Sequence, residues 1–197
     1  MEAASRVFRR KGLHASGMRD IAAEAGMQVG NLYYYFEGKD ELLAFCQLDT
    51  LGTLMELARQ VETQDLPPSC KLHKLVAGHV VALNEGTPGS LAHLEVEALE
   101  EPWRSEILAR RAEYEEVFRQ VIGEGVRAGV FRPADVKAAV LAILGAVNWT
   151  VKWFRPDGRK SAREIGELFA DQLVRGLLAE PEPRNSGDDE KEGDDDE

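Results

Sequence analysis

No segment of this chain alternates apolar and polar side chains with the period of two that a half-buried strand requires. Nearly every segment instead repeats its apolar residues at spacings of three and four. That confines the chain to an all-α fold, punctuated where Gly and Pro fall. Gly12, Gly26 and Gly38 lie so close together that the opening helices must be short. Longer helices follow. Leu42 to Val61 is stopped by Leu66-Pro67-Pro68, and Ser69 to Leu83 carries Leu72, Val76, His79, Val80 and Leu83 on one face. Leu91 to Leu99 reads as another helix, and Trp103 to Ala128 ends at Gly129. The next opens at Pro133 and Ala134 and runs to about Phe154. The last starts at Ser161, with Glu164 three residues on in capping-box spacing, and runs to about Leu178.

The most specific stretch is Ser16 to Phe36. Ser16 is placed to cap a helix starting near Met18, on which Ile21, Ala22 and Ala25 form a small apolar face. Gly26 permits the left-handed backbone of a tight turn. A second helix begins near Gln28, with Val29, Leu32 and Phe36 as its buried stripe. Two short helices joined by a Gly-containing turn form a helix-turn-helix unit. The second helix turns Gly30, Asn31 and Tyr34 away from its stripe, flanked by Tyr33 and Tyr35, where an ordinary solvated helix shows Glu and Lys. Either this aromatic run is core, or it meets another surface. Consecutive residues cannot all face inward on a helix, which favours the second reading.

A net charge of −11 looks wrong for a chain that meets nucleic acid, but its distribution removes the objection. Residues 1–47 are neutral, with six basic and six acidic groups, while residues 180–197 carry −8, leaving −3 for the middle. That tail, rich in Pro, Gly, Asp and Glu, has almost nothing to bury and is expected to be disordered. It either solubilises the chain or repels DNA and so weakens non-specific binding. Apolar runs such as Ala138 to Val147 read as too short to span a bilayer. No cleavable leader is visible, and Cys46 and Cys70 have no metal spacing. These features point to a reduced, cytoplasmic setting.

Residues 3–43 resemble the DNA-binding domain of the TetR family of bacterial regulators. The resemblance rests on Ala4, Val7, Phe8, Lys11 and Gly12, then Met18-Arg19-Asp20-Ile21-Ala22, Ala25-Gly26, Gly30, Leu32-Tyr33-Tyr34-Tyr35-Phe36, Lys39 and Leu42-Leu43, at fixed spacing throughout. It implies a three-helix helix-turn-helix head (residues 1–43), a helical ligand-binding and dimerisation body (44–179) and the acidic tail (180–197). Arg19 then matches a position that reaches a base edge, and Arg pairs best with guanine O6 and N7. Gln28 and Asn31 lie at the leading end of the recognition helix, and Gly30 lets its backbone come close. Tyr33 and Lys39 match phosphate contacts, and Tyr34 and Tyr35 match thymine-methyl or phosphate contacts. Family members usually carry a longer, often basic lead, so the first helix here is short or the true start lies upstream of Met1.

In the body, residues 134–154 and 161–178 are apolar and interspersed with small residues, so two copies can pair about a two-fold axis as a four-helix interface. Packing within one subunit is the alternative. Trp149 and Trp153 serve either as core anchors or as the mouth of a ligand cavity. The stretch Asn148 to Arg159, with the helix after it, is similar to TetR-type repressors that sense fatty acids or coenzyme A thioesters. Such a ligand needs an apolar tunnel and cations, for which Arg104, Arg110, Arg111, Arg155 and Arg159 are available. The ligand-side candidates are Trp103, Arg111, Trp149, Trp153 and Arg155. The histidines form no metal site, and His79 on an apolar face reads as a hydrogen-bonded core residue. No convergent acid, base and nucleophile set marks an enzyme, and no cofactor is implied. The expected function is a homodimeric repressor on a palindromic operator, released by a small apolar or amphipathic effector such as a fatty acid or acyl-CoA. A multidrug-type sensor and a constitutive activator or architectural DNA-binding protein are the alternatives.

Overall fold

The computed structural model describes residues 2–12, 15–86, 93–94, 96–132 and 135–179, the side chains of Ser5 and Arg9 apart. The acidic tail, Pro133 and Ala134 lie outside the described residues. Helix α1 (Glu2–Lys11) turns Ala4, Val7 and Phe8 inward, α2 (Met18–Glu24) turns in Met18, Ile21 and Ala22, and α3 (Val29–Tyr35) buries Leu32. All three pack on the first half of α4 (Lys39–Glu62), whose Leu42, Leu43, Cys46 and Leu51 complete their apolar cluster. Val96, Leu99 and Ile107 from the body enter the same cluster, so the head's core is continuous with the start of α6 (Trp103–Arg127). Desolvation of the Cys46 thiol pushes its pKa up to about 12, as expected for a core residue rather than a reactive one. The 43/44 boundary read from sequence falls inside α4.

The body is built from the second half of α4, α5 (Pro68–Val81), α6, α7 (Val136–Asn148), the short α8 (Thr150–Trp153) and α9 (Ala162–Arg175). Its cluster is centred on Leu72, Leu75, Val76, Val80, Phe118, Ile122 and Val140. Helix α9 lies along α5, and the crossing is close because Gly166 faces the backbone of Ala77. The caps follow local chemistry. Asp135 accepts from Ala138 N–H at 3.1 Å, and Ser161 and Glu164 form the expected capping box. The Glu85 carboxylate accepts from Ala162 N–H at 2.9 Å, placing a negative charge at the start of α9.

Four local expectations are corrected. Ser16 is buried one residue before the N-cap position of α2, which Gly17 holds, and Asp20 Oδ2 accepts from Gly17 N–H at 3.1 Å. The carboxylate three residues into the helix meets this end without a hydroxyl. The described part of Leu91 to Leu99 is a 3-10 turn at Val96–Ala98 rather than an α-helix. Helix α5 runs into a π-turn at Ala82–Gly86, where Asn84 Nδ2 donates to the Val80 carbonyl at 2.8 Å. The Ala134-to-Phe154 helix is interrupted at Trp149. There the Thr150 hydroxyl donates to the Val147 carbonyl at 2.7 Å and accepts from Asn84 Nδ2 at 2.8 Å, competing with the helical ladder.

The apolar run is also longer than the sequence reading allowed. Val136–Trp153 spans 18 residues at mean hydropathy 1.2, enough by length and composition to cross a membrane. Only 28% of it is buried within the chain. Much of that apolar surface therefore stays uncovered, on a helix whose other face is core.

Candidate nucleic-acid interface and effector cavity

Helix α3 is held by its buried side and by the turn before it. Gly26 adopts φ +67°, which a side chain resists, and Met27 N–H donates to the Ala22 carbonyl at 3.0 Å across the turn. Leu32 is buried, Val29 and Phe36 are half-buried, and the Phe36 ring meets Phe45 edge-on at 5.5 Å. The opposite side is bare. Gln28, Gly30 and Asn31 are exposed, as are Tyr33 at 50%, Tyr34 at 83% and Tyr35 at 66%. No atom lies within 4 Å of where a Gly30 Cβ would stand. The core reading of the aromatic run therefore fails. Tyr34 and Tyr35 brace each other edge-on at 5.1 Å, which stiffens the exposed pair.

Arg6, Arg10 and Lys11 of α1 are engaged elsewhere. Arg6 and Arg10 clasp Glu24 at 2.8 and 2.9 Å, and Lys11 meets Asp20 at 2.6 Å. The hydrogen bonds from Lys11 and Gly17 hold the Asp20 pKa below its ordinary value, and those from Arg6 and Arg10 do the same for Glu24. These pairs face solvent, so they orient α1 against α2 more than they stabilise it. Arg19, exposed on the first turn of α2, makes no ion pair among the described residues. Lys39, half-buried, opens α4 beside the exposed end of α3.

The ligand-side candidates divide: Trp153 and Arg155 share one groove, while Trp103, Arg111 and Trp149 lie apart from it. Trp103 opens α6 and packs against the head's core. Trp149 and Trp153 are 59% and 45% exposed, so neither is a core anchor. Trp153 stacks on Phe169 at 6.1 Å over an open groove that also holds Arg155 and Arg159. Arg104 pairs with Glu97, and Arg110 lies 3.9 Å from Glu113. Of these candidates Arg111 alone turns inward, to a cavity of about 290 Å³ between α5, α6 and α7.

That cavity is lined by His79, His93, Arg111, Tyr114, Glu115 and Asn148, with Leu51, Leu141, Leu144 and Gly145. His79 is the hydrogen-bonded core residue expected, 3.0 Å from both Tyr114 Oη and Asn148 Oδ1. Burial lowers its pKa to about 4, depresses that of His93 well below the ordinary value, and raises that of the Tyr114 phenol. Sequence reading did not bring Gln47, His93, Tyr114 and Asn148 together. The available signal was polarity out of place, above all Asn148 ending a helix that is apolar from Ala138 to Val147. Among the described residues no group of three or more His, Cys, Asp or Glu could hold a metal.

The His79 shift has a testable consequence. Between pH 6.5 and about 4 the unfolded chain takes up a proton on this residue that the folded chain refuses. Its contribution to stability is full above the unfolded pKa and is lost as pH falls through the folded one, on the order of 3 kcal/mol. Melting temperature should drop between about pH 7 and pH 4.5, and His79→Gln should flatten that slope. Equal slopes in the two proteins would contradict the assignment.

A bare, tyrosine-rich helix propped by two short helices, on a long helix that runs into a helical body, defines a helix-turn-helix DNA-binding regulator. The chain belongs to the TetR family. Residues 1–45 match the family described as bacterial regulatory proteins, tetR family, and residues 65–177 match the tetracyclin repressor-like C-terminal domain. The HTH-type transcriptional repressor KstR2 of Mycobacterium tuberculosis is 26% identical over 183 residues, 91% of this chain and 92% of that one. The crystal structure of PfmR from Thermus thermophilus superposes with a TM-score of 0.81 at 31% identity, covering 90% of this chain and 98% of that one. AibR, solved in complex with isovaleryl coenzyme A and operator DNA, gives a TM-score of 0.76 at 26% identity over 90% and 95%.

Proposed function

We propose that the chain is a homodimeric repressor that binds a palindromic operator and is released by a small acyl effector, a fatty acid or acyl-CoA. The observation that carries this reading is the exposed face of α3, on which Gly30, Asn31 and Tyr34 stand uncovered. Arg19, Gln28 and Asn31 read base edges. Tyr33, Tyr34, Tyr35 and Lys39 hold phosphates or thymine methyls, and Gly30 admits the DNA backbone. Residues 1–43 act as the reading head and 44–179 as the effector and dimerisation body. AibR, of the same fold, was solved with an acyl-CoA and operator DNA, which supports the effector class. Such a regulator works in the cytoplasm.

The second copy covers the α7 face that carries Ala138, Leu141, Ala142 and Gly145, continued by Trp149. All four are exposed in the single chain, as is Trp149. Small residues let two such helices approach closely. Ala142→Glu is expected to leave the fold intact and yield a monomer at micromolar concentration by light scattering. Operator affinity should then fall about a hundredfold, because the second half-site no longer binds intramolecularly. A dimeric Ala142→Glu protein would refute this interface. Arg111 Nη2, which donates to Gln47 Oε1 at 3.2 Å, ties the cavity wall to the helix that carries the head. A ligand that favours another position of α4 moves the two heads off a spacing of about 34–36 Å. Footprinting tests the whole reading. One short palindrome, cleared by an acyl effector, is expected. Broad coverage without sequence preference would mark an architectural protein, and protection insensitive to every ligand would mark a constitutive one.

A further inference from the structure

The cavity between α5, α6 and α7 differs from the molecule's other concavities in what faces it. The groove between α4, α5 and α9 is edged by solvated side chains such as Glu56, Gln60 and Lys74, whereas this cavity is walled by the buried His79, His93 and Tyr114 and the half-buried Arg111, Glu115 and Asn148. Their hydrogen-bond directions are fixed from one end. Asn148 Oδ1 can only accept, so His79 donates through Nε2, and its Nδ1 accepts from the Tyr114 hydroxyl. Asn148 Nδ2 is left as a donor at the cavity wall. Arg111 Nη2 donates to Gln47 Oε1 and to the His93 carbonyl, both neutral. Arg111 Nε and His93 Nδ1 are buried without a partner. Among the described residues no carboxylate pairs with Arg111, since Glu115, one turn along α6, turns to Arg119. Burial lowers the guanidinium pKa only to about 10, so it stays charged at neutral pH.

We propose that this cavity takes a short acyl group by its carboxylate or thioester carbonyl oxygen, with Arg111 and Asn148 as the donors and Leu51 and Leu144 as the apolar walls. The proposal rests on the effector-released repressor reading above and gives that effector's buried end its chemistry. A cation held among neutral partners is costly to bury, and an anionic or carbonyl oxygen is the group that relieves the cost. The carboxylate of the described lining, Glu115, is paired with Arg119, so the charge left facing the cavity is that of Arg111, which disfavours a cationic ligand. A volume of about 290 Å³ sits at the low end of small-molecule sites and suits a short chain.

The test uses the full chain with hexanoate, hexanoyl-coenzyme A, palmitoyl-coenzyme A and hexanol, read by calorimetry and thermal shift. Hexanoate or its thioester should bind at least about tenfold more tightly than hexanol, and whichever of the two binds identifies the source of the acyl group. Palmitoyl-coenzyme A should bind more weakly than hexanoyl-coenzyme A. Arg111→Met should lose at least about twentyfold in affinity for the acyl probe while the free protein melts at the same or a higher temperature, because a half-buried charge without a counter-charge among the described residues is removed. Asn148→Leu should weaken the same probe about tenfold and serves if Arg111→Met does not fold. Equal binding of hexanol, tighter binding of the long chain, or unchanged affinity in the variants would overturn the proposal. If neither hexanoate nor its thioester binds while another small molecule clears the operator, the assignment of this cavity falls and the repressor reading stands. If nothing clears the operator, the effector reading itself falls.

Discussion

Gly30→Glu should abolish operator binding in a protein that folds at least as well as the parent. The two effects separate because of where Gly30 lies. It is exposed on α3, with no atom within 4 Å of a Cβ placed there, so a side chain disturbs nothing inside the chain. Replacing a helical glycine with Glu gains on the order of 0.5–1 kcal/mol of helix propensity. Against DNA the sign reverses. On the proposed interface the new carboxylate would stand between Asn31 and the phosphates, fill the space through which the helix backbone is to approach, and repel the duplex. A loss of about 2 kcal/mol per half-site, doubled by the two-fold, amounts to about a thousandfold in affinity. Gly30→Ala separates bulk from charge and should cost about tenfold. The measurement is a titration of the footprinted operator at fixed salt, with a thermal melt in parallel. A Gly30→Glu protein that bound within a few-fold of the parent would show that this face of α3 does not meet DNA.

The largest expected loss of stability lies elsewhere, at Gly166. A Cβ there would stand 2.6 Å from the Ala77 carbonyl oxygen and 3.2 Å from the Ala77 Cα. The obstacle is backbone, so no rotamer change relieves it, and α9 and α5 must move apart. Helix α5 contributes Leu72, Leu75, Val76 and Val80 to the body core, and separation loosens contacts along its length. Gly166→Val is expected to cost about 3–5 kcal/mol, above the usual range for overpacking because a backbone must yield. That corresponds to a fall of about 8–15 °C in melting temperature for a chain of this size. Gly176→Ala is the control. It stands at the end of the same helix, where the nearest atoms to a Cβ are 3.5 Å away, and it should change stability little. A Gly166→Val protein that melted with the parent would mean that the α5–α9 crossing is looser than these distances imply.

The head was legible from sequence because its determinants are local. The Gly26 turn and the bare Gly30/Asn31/Tyr34 side of α3 follow from chain-neighbour spacing, and each is found as expected. Where two local groups could serve the same end, the reading missed. Ser16 looked like the cap, but Asp20 closes that turn. The body was less legible because its site is assembled from four helices. Gln47, His79, Arg111 and Asn148 are separated by more than thirty residues at each step, and no spacing rule joins them. For Trp149 and Trp153 the sequence left core anchor and cavity mouth both open, for a related reason. Aromatic side chains suggest burial, yet Thr150 and Asn84 interrupt the helix at that point and both rings remain on the surface.

Sequence alone determined that the chain is helical, where its helices turn, and that a helix-turn-helix lies near its start, since these depend on apolar period and on glycine at a left-handed turn. Only the tertiary structure decided which polar side chains are sealed in the body, which apolar faces stay bare, and that the head's core continues into α6. Burial is a property of what stands opposite a residue, and that partner sits far along the chain.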